Sequence, residues 1–151
     1  MNLHQPKFEL APYAECSFCQ DVAGTRECAI VAESALAIAQ VNLRQYERGA
    51  MLVIPRAHRE TVLEIRDEEI CATYLLARRV ARAAAIAFGA AGVNIYQNNG
   101  LKAGQHEPHF HVHVVPRYPQ SEPGRRFSQL DFEPVSIEDQ RAIAGLIRAA
   151  L

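Results

Sequence analysis

The stretch that decides the fold is HFHVHVVP, residues 109–116, in which three histidines alternate with apolar residues. Successive side chains of a β-strand point to opposite faces, so His109, His111 and His113 project from one side of such a strand. The apolar residues between them project from the other side, as a hydrophobic core requires. Buried imidazole nitrogens need hydrogen-bonding partners, so packing alone does not explain three imidazoles on one face. The pattern therefore predicts a strand that separates a core from a functional site.

Two kinds of chemistry use such a row of imidazoles. One is metal binding, because imidazole is a ligand for zinc, copper and iron. The other is nucleophilic catalysis, in which a neutral imidazole attacks an electrophile while neighbouring groups orient it. The spacing of the three histidines does not decide between these two chemistries.

Short apolar runs predict the remaining strands of a sheet. They are too short to form stable helices, and they are bounded by polar residues, glycine or proline. Pro116 is expected to close the last of them, because proline cannot donate to a strand ladder. The predicted strands cover residues 29–32, 35–41, 51–54, 93–97 and 110–115.

Two helices are predicted around these strands. The long one begins with Asp67 as N-cap and ends at Gly89 or Gly92. The second begins at Ser136, with Asp139 in a capping position. The order of strands, helix, strands and helix predicts an α+β domain with an antiparallel sheet. The predicted buried face of the long helix carries apolar residues at helical spacing: Ile70, Tyr74, Ala77, Ala81 and Ala84.

Composition and charge narrow the classes of function. The chain has 151 residues, which is one domain's worth, and its 49% apolar and 22% charged residues are an ordinary globular balance. The formal net charge is −1, so no basic excess offers a binding surface for duplex nucleic acid. A small anionic substrate held by a few local donors remains possible on these grounds.

The cysteines and the hydropathy pattern predict a location. No stretch approaches the roughly 20 uncharged apolar residues of a membrane span, and the first ten residues contain no apolar core of a signal peptide. We therefore expect a cytoplasmic protein without membrane contact. In that compartment the four cysteines are expected to be thiols or in part metal ligands: Cys16, Cys19, Cys28 and Cys71. Cys71 lies on the long helix and is expected to face the protein core.

Several motifs together resemble the signature of the histidine-triad (HIT) superfamily. The row of alternating histidines follows Gly104-Gln105, as it does in that family. The resemblance covers residues 16 to 117, and its most specific part is the histidine row with its Gly-Gln. The supporting matches are CSFC at 16–19, a turn from Asn42 to Gly49, LVIP at 52–55 followed by His58, and the pair Asn98-Asn99.

The resemblance implies a fold and an assembly. It implies a HIT-like α+β fold, with an antiparallel sheet of about five strands, a long helix and a C-terminal helix. The whole chain, 1–151, would be a single HIT domain, with a core at about 16–117 and a C-terminal loop and helix at 118–151. Relatives of this length form homodimers, and the alanine-rich side of 77–91 together with a strand edge would suit the interface.

The resemblance also implies a reaction at the α-phosphorus of a nucleotide. The substrate would be a dinucleoside polyphosphate or a nucleoside phosphoramidate, cleaved through a covalent nucleotidyl-His111 intermediate. His109 and His113 would orient the nucleophile and meet the phosphate oxygens. Gln105 would donate to the phosphate or to the bridging oxygen. Donors placed around the charge that develops on phosphate are expected to do most of the catalytic work.

Nucleotide-binding residues follow from the same resemblance, with departures that bear on the substrate. Asn42 would bind the ribose hydroxyls, Asn98 would lie near the ribose and the α-phosphate, and Gln105 would contact the phosphate. His106 stands where the family carries serine or threonine, and we expect it to replace that hydroxyl as a donor or to mark a different leaving group. Ala50 stands where many members carry histidine. The stretch 120–126 is expected to extend the loop after the triad and to contribute to substrate choice.

A structural zinc ion is a further implication. Structural zinc normally takes four ligands, and the Cys16-x-x-Cys19 pair supplies two of them. In zinc-carrying relatives the other two are a histidine after the proline-terminated strand and the first histidine of the triad, which here are His58 and His109. The zinc would not be catalytic, and no organic cofactor is expected.

Two other readings of the sequence compete with the enzyme. A non-catalytic, zinc-stabilised nucleotide-binding module would use the same pocket without turnover. A metal-dependent oxygenase of the cupin type would use a His-x-His pair, but it needs a carboxylate ligand and a further histidine on a late strand. No histidine follows His113, so the oxygenase is the weakest of the three.

Overall fold

The structure is a computed structural model that describes residues 6–128 and 131–151. The predicted C-terminal loop therefore lies partly outside the described residues, at positions 129 and 130. In chain order the described elements are α1 (Ser17–Ala23), β1 (Ile30–Glu33), β2 (Ala37–Val41), β3 (Met51–Pro55), α2 (Asp67–Phe88), β4 (Gly92–Tyr96), a 3₁₀ turn (Leu101–Ala103), β5 (Val112–Arg117) and α3 (Ile137–Arg148).

The strands of the described residues form one antiparallel sheet in the order β1-β2-β3-β5-β4. The predicted α+β fold with about five antiparallel strands is confirmed. β5 lies between β3 and β4, so His113 has Leu52 as its partner on one side and Tyr96 on the other. This register places His113 between two neighbouring strands, and His109 and His111 precede it at the entrance to β5.

The two faces of the sheet differ as the alternation of 109–116 predicts. Phe110, Val112 and Val114 are buried in the main core, which α2 and α3 cover. On the opposite face, Phe18 of α1 packs with apolar residues of β2 and β3. The histidines share this second face. None of the helices in the described parts of the chain combines the length and hydrophobicity of a membrane-spanning segment.

Strand β5 differs at both ends from its prediction. It begins at Val112 rather than Phe110, because the amide of Phe110 donates to the carbonyl of Arg59, outside the sheet, at 2.5 Å. It also continues through Pro116 to Arg117. β3 pairs with β5 only as far as Val114, so the missing N–H of Pro116 breaks no ladder bond on that side.

The long helix α2 is confirmed, with corrections to its start and its buried face. Arg66 rather than Asp67 is the N-cap, and Gly89 ends the helix in a left-handed conformation with φ of 62°. Cys71 and Tyr74, predicted to be core residues, are exposed. The alanine-rich sequence offers few large apolar side chains that define a face. The observed buried positions are Glu69, Thr73, Leu76, Ala77, Val80, Ala81, Ala83 and Ala84.

Helix α1 has no counterpart in the sequence prediction, whereas α3 does. The N-cap of α1 is Cys16, whose sulfur accepts from the backbone N–H of Cys19 at 3.4 Å. The N-cap of α3 is Ser136, whose hydroxyl accepts from the backbone N–H of Asp139 at 3.1 Å, as predicted. With its first turn, α1 brings both cysteines towards the sheet face that carries the histidines.

Candidate functional site

The three histidines of the predicted row lie together on one face of the sheet. His109, His111 and His113 are 0%, 2% and 4% exposed, so all three imidazoles are out of bulk solvent. The ring centroids of His111 and His113 are 4.9 Å apart. Because burial disfavours the charged form of an imidazole, it lowers the pKa of all three rings. They are neutral at physiological pH.

The hydrogen bonding of His111 determines which of its nitrogens is free. Its Nδ1 lies 2.7 Å from the backbone carbonyl oxygen of His109. A carbonyl oxygen only accepts hydrogen bonds, so Nδ1 carries the proton and Nε2 keeps its lone pair. The ring of Phe18 packs edge-on against the imidazole at a centroid distance of 5.1 Å. His111 is thus held as a neutral imidazole with Nε2 as the available nucleophilic atom.

His113 is held by two tyrosines that the sequence analysis did not single out. Tyr96, its cross-strand partner, stacks on the imidazole with centroids 4.5 Å apart and ring planes 8° apart. The hydroxyl of Tyr46 lies 3.5 Å from Nδ1 of His113. The amide of Asn42 donates to the same hydroxyl oxygen at 2.5 Å, which leaves the phenolic proton for His113. With Nδ1 as acceptor, His113 carries its proton on Nε2 and is a donor there.

The carbonyl of Pro55 determines the orientation of His109. Nε2 of this imidazole lies 2.9 Å from the Pro55 oxygen and therefore carries the proton. The free Nδ1 lies 3.3 Å from Sγ of Cys16 and 3.6 Å from Sγ of Cys19. Burial lowers the pKa of His109 to about 4 and raises that of the Cys19 thiol to about 11. Unprotonated imidazole nitrogen is the form that binds metals.

Cys16, Cys19, His58 and His109 form a cluster with the donor set of a structural zinc site. One ligand atom from each of the four residues lies within 4.8 Å of all the others. Nδ1 of His58 is 3.2 Å from Sγ of Cys19. In tetrahedral coordination with ordinary Zn–S and Zn–N bonds, neighbouring sulfur and nitrogen ligands would be about 3.6 Å apart. The four residues are compatible with a zinc ion.

Gln105 lies beside the histidines, but its amide group is fully engaged with backbone groups. Its Oε1 accepts from the N–H of Gly100 at 2.7 Å, and its Nε2 donates to the carbonyls of Glu60 and Glu107 at 2.6 and 2.9 Å. The side chain is buried and does not line the neighbouring cavity. In this arrangement Gln105 holds the loop that leads into the triad, and contact with a phosphate would require one of these bonds to break.

A cavity of about 700 Å³ opens beside the triad, between β4, β5 and the segment after β5. Of the predicted site residues, His113, Asn98 and His106 line it. Asn42 does not, and its amide supports Tyr46 instead. His111, whose ring centroid lies 4.9 Å from that of His113, is not among the residues that line it. Further lining residues outside the predicted site include Tyr46, Tyr96, Arg117, Arg125, Arg126, Phe127 and Asp131.

Four site residues were not predicted from the sequence, because no sequence motif marks their positions: Tyr46, Tyr96, Arg125 and Arg126. Tyr46 and Tyr96 reach the site through turn geometry and strand register, neither of which has a sequence motif here. Arg125 and Arg126 are the last two residues of the stretch 120–126, which was expected to influence substrate choice. Both arginines line the cavity, and the sequence pattern did not single out their side chains.

Comparison with known proteins identifies relatives along most of the chain. The model of the family described as "HIT domain" matches residues 23–120. The "Protein hit" of Bacillus subtilis is 39% identical over 103 residues, which are 68% of this chain and 71% of that protein. The "Adenosine 5'-monophosphoramidase hnt1" of Schizosaccharomyces pombe is 33% identical over 136 residues, which are 90% of this chain and 98% of that protein.

A solved structure shares this fold. The crystal structure of a zinc-bound histidine triad family protein from Mycobacterium smegmatis superposes with a TM-score of 0.76 at 30% sequence identity. The match covers 89% of this chain and 91% of that one. The same arrangement of sheet and helices is therefore present in a protein that carries zinc.

Proposed function

This chain belongs to the histidine-triad (HIT) family, and we propose that it is a nucleotide hydrolase or nucleotidyltransferase that acts at the α-phosphorus of its substrate. The family match and the named phosphoramidase among its relatives support hydrolysis or transfer of nucleotides in general. The covalent route through His111 and the roles of individual residues are the finer part of the proposal.

The observation that carries the proposal is the hydrogen bond between Nδ1 of His111 and the carbonyl of His109. In the first step, the lone pair on Nε2 forms a bond to phosphorus while the bond from phosphorus to the leaving group breaks. The leaving group departs with that electron pair. Positive charge then develops on the imidazole, and the carbonyl that accepts from Nδ1 stabilises it. Water or another acceptor then displaces the imidazole and releases the nucleotide.

The neighbouring residues are assigned supporting roles. His113, protonated on Nε2, donates to a phosphate oxygen at the cavity wall. Asn98 and His106 line the same cavity and are assigned to the ribose and phosphate. Asn42 acts on the substrate through Tyr46 rather than by touching the ribose. Gln105 positions the loop from which the triad strand continues.

We also propose one structural zinc ion per chain, held by Cys16, Cys19, His58 and His109. The close spacing of the four ligand atoms and the zinc-bound relative support it. Zinc would supply an anchor between α1 and the triad strand, since His109 precedes His111 by two residues. The tautomer of His109, with Nδ1 facing the sulfurs, is the one that such an anchor requires.

Exposed apolar residues support a homodimer. Leu75 and Ile86 of α2 are 58% and 61% exposed, and Ile95 on the edge strand β4 is 41% exposed. Burial of these side chains against a second copy would remove them from water. The mass of the protein in solution by light scattering tests this assembly, and a monomer at micromolar concentration would exclude it. The free thiols of Cys28 and Cys71 suit a reducing compartment and support the expected cytoplasmic location.

A second candidate function is the non-catalytic nucleotide-binding module. Two observations favour it: His111 does not line the cavity, and the amide nitrogen of Gln105 already donates to two backbone carbonyls. Such a module would bind a nucleotide without turnover.

The experiment that tests the proposal is a rapid-quench reaction with a nucleotide labelled at the α-phosphorus. We expect a protein-bound label that is stable to base and labile to acid, as a phosphoramidate is, and that maps to His111. An adduct on His106 or His113 would contradict the assigned nucleophile. Nucleotide binding without an adduct and without turnover would favour the binding module.

A further inference from the structure

Three arginines lie at the cavity, and the proposed chemistry at His111 does not use them. Arg117 ends β5, and Arg125 and Arg126 follow in the segment after it; we call these three residues the arginine rim. The only carboxylate among the described lining residues is that of Asp131, so the lining carries three guanidinium groups against one acid. The chain as a whole has a formal net charge of −1, so this positive excess is local.

Arg117 connects β5 to the segment that carries the other two arginines of the rim. Its guanidinium lies 3.6 Å from a carboxylate oxygen of Glu47 and donates to the backbone carbonyls of Glu122 and of Arg125. It also lies 5.1 Å above the ring of Phe127. Most hydrogen-bond donors of Arg117 therefore bond to other groups of the protein. Through these bonds Arg117 fixes the position of the segment that follows β5.

Arg125 is linked to the triad through a column of rings. Its guanidinium lies 5.4 Å from the centroid of the Phe127 ring. Phe127 stacks on Tyr46 with centroids 5.3 Å apart and planes 10° apart, and the Tyr46 hydroxyl lies 3.5 Å from Nδ1 of His113. The column holds Arg125 at a defined place relative to the atoms that would meet the α-phosphate.

The positive charges of Arg125 and Arg126 are not neutralised by an ion pair in the part of the chain that the structure describes. Within residues 6–128 and 131–151, no carboxylate forms an ion pair with either guanidinium. Both side chains are exposed at the cavity. Guanidinium groups bind phosphate oxygens through two parallel hydrogen bonds, which favours arginine where phosphate is recognised. The cavity volume of about 700 Å³ is in the range of sites that hold ligands of nucleotide size.

We propose that the arginine rim binds a leaving group that itself carries phosphate, so that the preferred substrates are dinucleoside polyphosphates rather than nucleoside phosphoramidates. This inference rests on the proposed function. Attack of Nε2 of His111 on the α-phosphorus breaks the bond to the bridging oxygen, and that oxygen leaves with the electron pair as a nucleoside polyphosphate. The leaving group gains one negative charge, which Arg125 and Arg126 stabilise. A phosphoramidate releases an amine and gives the rim no phosphate to bind.

The test compares two substrates that share the adenosine 5'-phosphoryl group, diadenosine triphosphate and adenosine 5'-phosphoramidate. The variant is Arg125→Gln/Arg126→Gln. The matched control is Arg141→Gln/Arg148→Gln, which removes two exposed arginines of α3 outside the cavity. We expect the variant to lower kcat/KM for diadenosine triphosphate at least about 10-fold, the effect of losing one or two charge-assisted hydrogen bonds. Its kcat/KM for the phosphoramidate, and both values of the control, should stay within about 2-fold.

The ratio of the two kcat/KM values is the deciding quantity, because a general loss of folded protein lowers both. The single variant Arg126→Gln should move the ratio in the same direction. The Arg126 side chain is exposed and forms no ion pair within residues 6–128 and 131–151, so its loss should leave the fold intact. An unchanged ratio in both variants would overturn the inference while leaving the proposed function intact. Failure of the unaltered protein to turn over either substrate would overturn the proposed function, and the inference with it.

Discussion

The backbone carbonyl of His109 accepts a hydrogen bond from Nδ1 of His111 at 2.7 Å, so the first histidine of the row determines the protonation of the second. At the same time, the side chain of His109 donates from Nε2 to the carbonyl of Pro55. One residue thus directs the nucleophile through its backbone and faces the cysteine pair through its ring. His109 therefore belongs both to the cluster of cysteines and histidines proposed to bind zinc and to the surroundings of His111.

Replacement of His111 by asparagine should abolish turnover while the fold and nucleotide binding persist. We expect kcat to fall by about 10⁴-fold or more, because removal of a nucleophile eliminates the covalent route rather than one hydrogen bond. Steady-state kinetics together with nucleotide binding by calorimetry measure both properties. His106→Asn is the comparison: it removes a cavity-lining imidazole assigned to substrate binding, so it should weaken binding while the covalent route through His111 persists. Near-native turnover of His111→Asn would refute the assigned role.

Tyr46→Phe should lower kcat with little change in KM. The substitution removes the hydroxyl that faces Nδ1 of His113 and keeps the ring that stacks on Phe127. One hydrogen bond of this kind corresponds to about 10-fold in rate. Tyr118→Phe is a matched control, because its hydroxyl donates to the backbone carbonyl of Arg48 at 2.6 Å outside the triad cavity. Equal losses in the two variants would mean that Tyr46 does not position His113.

Most of the fold and the face of the site were predictable from the alternation of residues 109–116. Burial of one face and chemistry on the other follow directly from the two-residue period of a strand. Tyr46 and Tyr96 were not predictable in the same way. Tyr96 reaches His113 only because β4 and β5 pair in one particular register, which no single-sequence pattern specifies.

Helices α1 and α2 illustrate two other limits of the sequence. α1 has 7 residues, about two turns, so it is too short to display a helical period, and its N-cap is a cysteine rather than a common capping residue. In α2 the many alanines are apolar on every side, so Tyr74 looks like a core residue although it is 42% exposed. The rotation of such a helix is decided by the sheet against which it packs.

Gln105→Ala should destabilise the protein, because the amide of Gln105 bonds to three backbone groups. Unpaired buried groups of this kind cost about 1–3 kcal/mol in the free energy of unfolding. Gln45→Ala is a control with the same pattern, since Gln45 also bonds to three backbone groups, of Asn42, Gly49 and Ala50. Denaturant unfolding measures both. Unchanged stability with a loss of about 100-fold in kcat would instead identify Gln105 as a phosphate donor.

Glu69→Gln should reduce the loss of unfolding free energy that occurs as the pH falls into the acid range. Two hydrogen bonds from Arg59, both of 2.8 Å, and one from the backbone of Arg66 favour the carboxylate and lower the pKa of Glu69 from 4.5 to about 2. Because the unfolded chain binds the proton more tightly, this stabilisation is present above pH 4.5 and is lost as the pH falls towards 2. Unfolding free energy measured across that range should decline less steeply in the variant. Glu68→Gln, an exposed neighbour, is the control and should retain the slope of the unaltered protein.

Cys16→Ser should remove the zinc ion and lower thermal stability without removing the nucleophile. A zinc ion held by Cys16, Cys19, His58 and His109 would link α1 to the triad strand, and a structural site loses most of its affinity when one thiolate ligand is replaced. Elemental analysis of protein purified without chelator should find about one zinc per chain in the unaltered protein and far less in the variant.

Cys71→Ser is the matched control, because Cys71 is exposed on α2 and outside the cluster, and it should keep both the metal and the melting temperature. Residual activity of Cys16→Ser should still depend on His111, because the carbonyl that holds Nδ1 belongs to the backbone. Absence of zinc from the unaltered protein would refute the metal site and leave the chemistry at His111 to its own test.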